Sequence, residues 1–201
     1  DKKSTFIFIL ISILLLGCGQ HNNEKPEVAV PTKYLQETKG ILNYKGIPKD
    51  QDDREMLMFS DQGAWFAFSL PENNSLYLGF SGPFLMTQDN GVWSSPGMTQ
   101  FFIKDSDDQP MIWDKQETGS YNSHLEQTYW NKKWEVEQQL VFISGNTALQ
   151  QITVTNRSDM EIPLNSGFQG SLFNIGLSLT NEDESLKLTS MKSDAVGYVQ
   201  I

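Results

Sequence analysis

The stretch that decides the fold is WEVEQQLVFISGNTALQQITVT, residues 134–155. From Trp134 to Phe142, a largely apolar set alternates with a largely polar one, which is the period of a strand with one buried face. The first set is Trp134, Val136, Gln138, Leu140 and Phe142, and the second is Glu135, Glu137, Gln139 and Val141. Ser144-Gly145-Asn146 is a turn signal, and the alternation resumes from Ala148 to Thr155. The stretch therefore predicts two long strands joined by a turn.

The same alternation of short apolar runs and turn residues extends through the rest of the body. Further strands are expected at residues 65–70, 76–80 and 99–104, and near 161–169, 171–179, 186–192 and 195–201. No long segment shows the 3.6-residue period of a helix. Regularly spaced short strands favour an antiparallel sandwich over βαβ units. We therefore predict an all-β fold, an antiparallel β-sandwich, over residues 34–201.

Composition excludes several classes of protein. Lys and Arg total 15 against 25 Asp and Glu, a formal net charge of -10, which argues against a nucleic-acid partner because phosphate binding needs a basic face. One Cys excludes an internal disulfide, and two His exclude a zinc site built from several His and Cys. We expect no metal and no cofactor. Aromatic residues make up 11% and include five Trp, enough for a core and a sugar-binding surface.

The first residues are typical of an exported protein. Lys2 and Lys3 precede FIFILISILLL, residues 6–16. In helical form this run is about 16 Å long, too short to cross about 30 Å of hydrocarbon. It suits the core of a signal peptide, helical or disordered on its own. The alternative is an ordinary buried helix.

A cysteine follows the apolar run at once. Leu15-Leu16-Gly17-Cys18 resembles the bacterial lipobox, in which the Cys is lipidated and becomes the new N-terminus. We therefore expect a signal peptide and lipobox at 1–18 with Cys18 lipidated, and a flexible tether at 19–33. The membrane would be a partner through the lipid. The expected location is the bacterial cell envelope, at the outer membrane or facing the periplasm.

Three short elements then follow in order. They are N-x-x-G-x-P at residues 43–48, D-x-G-A-W at residues 61–65 and G-F-x-G at residues 79–82. Their order and spacing resemble the N-terminal domain of bacterial glycoside hydrolase family 63 enzymes, the α-glucosidase-like members, over about residues 34–175. The ordered set carries the resemblance, since each element alone is short.

The resemblance implies a supersandwich-like β-sandwich that packs on a large (α/α) toroid of the same chain. In such enzymes the toroid holds both catalytic carboxylates, an acid and a base that activates water. A toroid does not fit within 201 residues, so we expect no catalytic residue here. The parent enzyme is expected to hydrolyse α-glycosidic bonds of oligosaccharides, while this chain alone is inactive. The chain ends at residues 198–201 inside an apparent strand, which predicts that the natural protein continues.

Three aromatic residues of the motif region are candidates for substrate binding: Trp65, Phe80 and Trp93. Trp65 either lies near a sugar pocket or is buried between layers. Phe80 lies between Gly79 and Gly82, which permit positive φ or a close backbone approach in a plain turn or a loop toward the toroid. Trp93 follows an Asn-Gly turn signal and is a sugar platform, an interface anchor or a core residue.

Other polar groups are weaker candidates. Asp105, Asp107 and Asp108 lack the spacing of a calcium loop and favour a solvated turn. Asp61 and Asp89 fit turn or capping roles better than an acid–base pair, and His124 has no nucleophile motif beside it. Two further functions remain open: a free-standing surface lipoprotein that binds glycans without cutting them, and a structural lipoprotein without a ligand.

Overall fold

The computed structural model describes residues 40, 42–72, 78–86, 90–105, 107–183, 185–191 and 193–200. Within these ranges the chain forms β-strands and no helix, so the all-β prediction is confirmed. The predicted signal segment, the tether and Cys18 lie outside the described residues. No helix in the described part of the chain is long and apolar enough to cross a membrane.

The described residues form twelve strands, numbered in chain order. They are β1 (Phe66–Ser69), β2 (Ser81–Leu85), β3 (Val92–Trp93), β4 (Gly97–Lys104), β5 (Lys115–Ser120), β6 (His124–Trp130), β7 (Trp134–Ser144), β8 (Thr147–Asn156), β9 (Asn165–Ser171), β10 (Leu177–Glu182), β11 (Ser185–Ser190) and β12 (Val196–Gln200).

Every pairing between these strands is antiparallel. The largest sheet has the order β5-β6-β7-β8, and the others are β1-β2-β3, β10-β11-β12 and the pair β4-β9. Within the largest sheet, β7 and β8 pair from Trp134↔Asn156 to Ser144↔Thr147. This is the pair of strands that the 134–155 pattern predicts, joined by the expected turn.

Two apolar clusters cover the inner face of the four-stranded sheet. In the first, Leu125, Leu140 and Phe142 of β6 and β7 pack against Leu70 and Phe80 of the opposite layer. The second is formed by Leu78, Phe101 and Ile103 together with Tyr129 and Val136. Strands β1 and β4 therefore lie over β6 and β7 in a sandwich-like arrangement, and the burial raises the pKa of the Tyr129 hydroxyl well above its ordinary value.

Two predicted strands are wrong. Residues 78–80, the described part of the predicted strand 76–80, are not a strand, and β2 begins only at Ser81. The reason is that the backbone N–H and C=O of Gly79 bond to a side chain, Gln127, and not to a neighbouring strand. The strand expected at 171–179 is also misplaced, because residues 172–176 are irregular and β10 begins at Leu177.

The sequence pattern misses β5 (Lys115–Ser120). Its sequence KQETGS holds no apolar residue, so no alternation marks it. The strand forms because it pairs along its whole length with β6, from Lys115↔Trp130 to Ser120↔Leu125. Backbone pairing with a neighbour, not burial of its own side chains, places this strand.

The part of the chain from residue 160 onward leaves many large apolar side chains exposed. These are Met160, Leu164, Phe168, Leu179, Met191, Val196 and Tyr198. A groove between β4-β9 and the β10-β11-β12 sheet is lined mainly by apolar groups, among them Met98, Phe168 and Leu179. An exposed apolar surface of this kind is typical of a contact with another protein surface.

Candidate functional site

A tight turn presents Trp65 to solvent. The N–H of Ala64 donates to the carbonyl oxygen of Asp61 at 3.0 Å, and the hydroxyl of Ser60 donates to that of Ala64 at 3.2 Å. Ala64 is buried, whereas Trp65 is 69% exposed. The turn thus anchors one residue in the core and directs the next outward.

Trp65 continues a buried strand face onto the surface. The N–H of Met86 donates to the carbonyl oxygen of Trp65 at 2.8 Å, which extends the β1–β2 pairing one residue beyond Phe66↔Leu85. Because side chains alternate along a strand, Trp65 and Met86 lie on the same side as the buried pair Ala67↔Phe84. Trp65 and Met86 are therefore the exposed end of a row of apolar side chains whose other members, Ala67 and Phe84, are buried.

Trp93 lies inside the domain. Its side chain is 0% exposed, its ring packs edge-on to Phe84 at 5.2 Å, and its indole N–H donates to the carbonyl oxygen of Asp53 at 2.9 Å. The backbone N–H groups of Lys49 and Glu55 both donate to the Asp53 carboxylate and lower its pKa. The acidic loop at residues 49–55 is thus folded on itself and closes over Trp93, which offers no ring face to a sugar.

Phe80 is also inaccessible. It is 1% exposed and belongs to the cluster with Leu125 and Leu140. Of the three aromatic residues that the sequence offers for substrate binding, the structure leaves only Trp65 on the surface. The interpretation of Trp93 as a core residue fits its burial.

The glycines beside Phe80 have the geometry expected from the sequence. Gly79 has φ 143° and Gly82 has φ 116°, in the region that favours glycine. A Cβ on Gly79 would lie 3.0 Å from the carbonyl oxygen of Thr99, and one on Gly82 would lie 3.1 Å from that of Ala67. Both close approaches occur in the interior between adjacent backbone segments, since Gly82 lies against β1 of its own sheet and Gly79 lies beside β4, where the Phe101 N–H donates to the Leu78 carbonyl oxygen. They support close backbone packing and not a loop on the surface.

A buried amide holds Gly79 in place. Gln127 donates from Nε2 to the Gly79 carbonyl oxygen at 2.6 Å and accepts the Gly79 N–H at Oε1 at 3.1 Å. Its cross-strand neighbour Gln138 is equally buried and accepts a bond from Gln150 at 2.9 Å. These glutamines form a polar row between the two apolar clusters, in which Gln127 fixes Gly79 and Gln138 Nε2 has no hydrogen-bond partner among the described residues.

The G-F-x-G element contains a buried hydroxyl without a hydrogen bond. Ser81 is 0% exposed, and its Oγ has no partner among the described residues. A buried hydroxyl that lacks a partner costs about 1–3 kcal/mol.

We expect Ser81→Ala to raise the free energy of unfolding by about 1 kcal/mol, measured by urea denaturation. Ser69→Ala is the matched control, because the Ser69 hydroxyl donates to the Leu57 carbonyl oxygen at 2.7 Å. The Ser69 variant should lose stability, and a loss in both variants would contradict the prediction.

The sequence reasoning missed a surface cleft at one end of the four-stranded sheet. Asp114, Trp130, Asn131, Lys132 and Arg157 line it, and its volume is about 350 Å³. The N–H of Asp114 donates to the Trp130 carbonyl oxygen at 2.8 Å, and Asn131 donates to the Ile112 carbonyl oxygen at 3.0 Å. The signal that points to it is WNKKW at residues 130–134, a polar turn between two Trp.

The remaining polar candidates have local partners. The Asp105 carboxylate accepts the backbone N–H groups of Asp107 and Gln109, both at 2.9 Å, as in a solvated turn. Asp61 accepts the N–H of Gln62 at 2.7 Å, and Asp89 lies outside the described residues. His124 stacks on Tyr121 at 4.3 Å. In the described part of the chain, no group of three His, Cys, Asp or Glu is placed to hold a metal ion.

Comparison with known families assigns the domain. The family model described as "Glucosidase YgjK, N-terminal" matches residues 44–190. The chain belongs to this family. The match contains the D-x-G-A-W and G-F-x-G elements and every strand from β1 to β11, so the glucosidase YgjK N-terminal family accounts for the described sandwich up to its last strand. A search of the curated proteins found no match.

Membership of the glucosidase YgjK N-terminal family confirms the resemblance drawn from the sequence elements. The family description names an N-terminal domain of a glucosidase, so the domain is related to glycosidases. This description suggests that the enzyme containing such a domain acts on a carbohydrate.

Proposed function

We propose that this chain is the non-catalytic N-terminal β-sandwich domain of a lipid-anchored glycoside hydrolase that acts on α-glycosidic bonds of oligosaccharides. The catalytic carboxylates would lie in an (α/α) toroid further along the same chain. The single observation that supports this most strongly is the family match to residues 44–190. The domain organisation proposed is signal peptide and lipobox 1–18, tether 19–33 and sandwich 34–201.

The exposed apolar side chains give the proposed domain contact a physical basis. Phe168, Leu179 and Tyr198 are among the large side chains left in solvent by β9, β10 and β12. Burial of such side chains against a second domain would stabilise the pair by about 25 cal/mol per Å² of apolar area. In this proposal the sandwich braces the toroid, and Trp65 contacts either the toroid or the sugar at the mouth of its pocket.

The lipid anchor is proposed on the order of the N-terminal residues. A basic start, an apolar run and Gly17-Cys18 occur in succession. The protein would then be held at the bacterial cell envelope, at the outer membrane or facing the periplasm, by a lipid on Cys18. Labelling of cells with a radioactive fatty acid tests this directly, since Cys18→Ser should abolish the label.

The mass of the native protein tests the domain proposal. An antibody to residues 43–65 should detect, in membranes, a polypeptide several times larger than the 22.8 kDa of this chain. The same fraction, immunoprecipitated, should release glucose from an α-linked glucose oligosaccharide. A native mass near that of the chain, without hydrolysis, would overturn the proposal in favour of a free-standing glycan-binding lipoprotein.

Trp65 is expected to affect activity without affecting the fold. Because its side chain is 69% exposed, Trp65→Ala should change the free energy of unfolding by less than about 0.5 kcal/mol. Loss of its ring from the sugar pocket or the domain contact should lower kcat/KM of the native enzyme about tenfold, which equals about 1.4 kcal/mol. The measurement is the steady-state rate of oligosaccharide hydrolysis.

Ile112→Ala is the control for this measurement. Ile112 is 76% exposed and lies outside the motif region, so its removal should leave kcat/KM unchanged. Equal kcat/KM values for the Trp65 and Ile112 variants would contradict a role of Trp65 in the sugar pocket or the domain contact. The domain assignment would not be affected.

A further inference from the structure

The cleft at Trp130 has the chemistry of a carbohydrate-binding site. We propose that it binds a neutral oligosaccharide, with the indole of Trp130 as the platform and the side chains of Asp114, Lys132 and Arg157 as hydrogen-bonding partners. The choice of a saccharide as the ligand rests on the proposed function. The site itself is separate from Trp65, which precedes β1 in another sheet.

Strand register places Trp130, which alone of the following row also lines the cleft, on the outer face of the sheet. Lys115, Trp130, Glu135 and Thr155 are consecutive cross-strand partners on β5, β6, β7 and β8. Directly opposed residues in antiparallel strands share one face of the sheet. Their side chains therefore form a row on one face, and it is the face opposite the core, because the next row, through Tyr129 and Val136, lies inside.

The row has the length of a short oligosaccharide. Four strands about 4.8 Å apart span about 14 Å, and the Trp130 ring lies at the second strand. In the row, the Trp130 ring lies between the charged Lys115 and Glu135, and the Thr155 hydroxyl follows at the end. This is a mixture of apolar and polar surface of the kind that a sugar ring presents.

Two charged side chains at the cleft are available to a ligand. Within the described part of the chain, the carboxylate of Asp114 and the ammonium of Lys132 take part in no hydrogen bond or ion pair. Asp114 offers acceptors and Lys132 offers donors. A sugar hydroxyl both donates and accepts a hydrogen bond. It can therefore donate to the Asp114 carboxylate and accept from the Lys132 ammonium at the same cleft.

The other charged groups are already oriented. Arg157 Nε lies 3.7 Å from the Glu135 carboxylate, and Lys115 Nζ lies 4.9 Å from the centre of the Trp130 ring while bonding to Glu117 at 2.6 Å. The ion pair leaves guanidinium donors of Arg157 free for a second partner. These contacts orient Arg157 and Lys115 before a ligand arrives, which lowers the entropy lost on binding. A sugar that stacks on the ring face covered by Lys115 displaces its ammonium.

The balance of charge favours a neutral ligand. Asp114, Glu117 and Glu135 offset Lys115, Lys132 and Arg157 around the cleft, while the whole chain has a net charge of -10. An anionic ligand would meet the repulsive field of the protein without a local excess of cations. A neutral saccharide avoids this electrostatic repulsion and can still form hydrogen bonds with the polar side chains of the cleft.

Titration of the 201-residue chain with maltotriose tests the inference, with binding followed by tryptophan fluorescence and calorimetry. We expect saturable binding in the millimolar range. Trp130→Ala should weaken it at least tenfold, and Asp114→Asn, which keeps the shape and removes the charge, should weaken it several-fold. Ile143→Ala is the control, because Ile143 is 61% exposed near the opposite end of β7, and it should change the dissociation constant less than twofold. Circular dichroism and the melting temperature verify that each variant is folded.

Three results would overturn the inference: no saturable binding of maltotriose, binding that is unchanged in both the Trp130 and the Asp114 variants, or equally tight binding of the anionic trigalacturonate. Failure of the site is distinguishable from failure of the proposed function. The native mass and the hydrolytic activity test the proposed function, and neither depends on Trp130.

Discussion

Trp93→Ala is expected to lower the free energy of unfolding by about 3–5 kcal/mol, because Trp93 is the largest fully buried side chain among the described residues. The ring is fully buried between Phe84 and the acidic loop, and its indole N–H bonds to the Asp53 carbonyl oxygen. Removal leaves a cavity and frees the loop that this bond holds. At about 2–4 °C per kcal/mol for a domain of this size, the melting temperature should fall by roughly 10 °C.

Two variants separate the causes of that loss. Trp93→Phe keeps an aromatic ring and removes the indole N–H, so it should cost about half as much as Trp93→Ala. Trp65→Ala removes an equally large ring from the surface and should leave the melting temperature almost unchanged. If the Trp65 and Trp93 variants melt together, Trp93 is not the core residue that its burial indicates.

Gln127→Met is expected to cost about 2–4 kcal/mol of unfolding free energy, although it preserves the volume of the side chain. The amide satisfies both the N–H and the C=O of Gly79. Each buried backbone group left without a partner costs about 1–3 kcal/mol. Methionine fills the same space, so the loss measures the hydrogen bonds and not a cavity. Chemical denaturation with urea gives the value.

Gln139→Met is the control for this variant. Gln139 lies on β7, one strand away from Gln127, and is exposed on the opposite face of the same sheet. Its replacement should change stability by less than about 0.5 kcal/mol. A Gln127 variant as stable as the Gln139 variant would mean that water or a local shift satisfies the Gly79 backbone.

Much of the strand content is predictable from local pattern. The 134–155 stretch alternates clearly because one face of β7 covers the core and the other meets solvent. β5 could not be predicted, since its polar sequence forms a strand only by pairing with β6. The boundary at Ser81 was missed for a similar reason, because a side chain distant in sequence, Gln127, takes the backbone bonds of Gly79.

The candidate site was predicted less completely. Trp65, Phe80 and Trp93 look equivalent in the sequence, since each is an aromatic residue beside a glycine-containing turn. Burial separates them, and burial depends on which layer lies above each ring. Trp130 was overlooked because its partners Asp114 and Arg157 are distant along the chain and meet only through the register of four strands.

The amino-acid sequence by itself determined the all-β class, the long β7–β8 pair, the two glycines of close backbone approach and, through three ordered elements, the family. These properties follow from side-chain period, turn chemistry and short motifs, which are local. Only the tertiary structure decided which Trp is exposed, where the polar row of glutamines separates the two apolar clusters, and that a cleft forms at Trp130. Those properties arise from contacts between segments far apart in the chain, and a local pattern contains no information about which strands become neighbours.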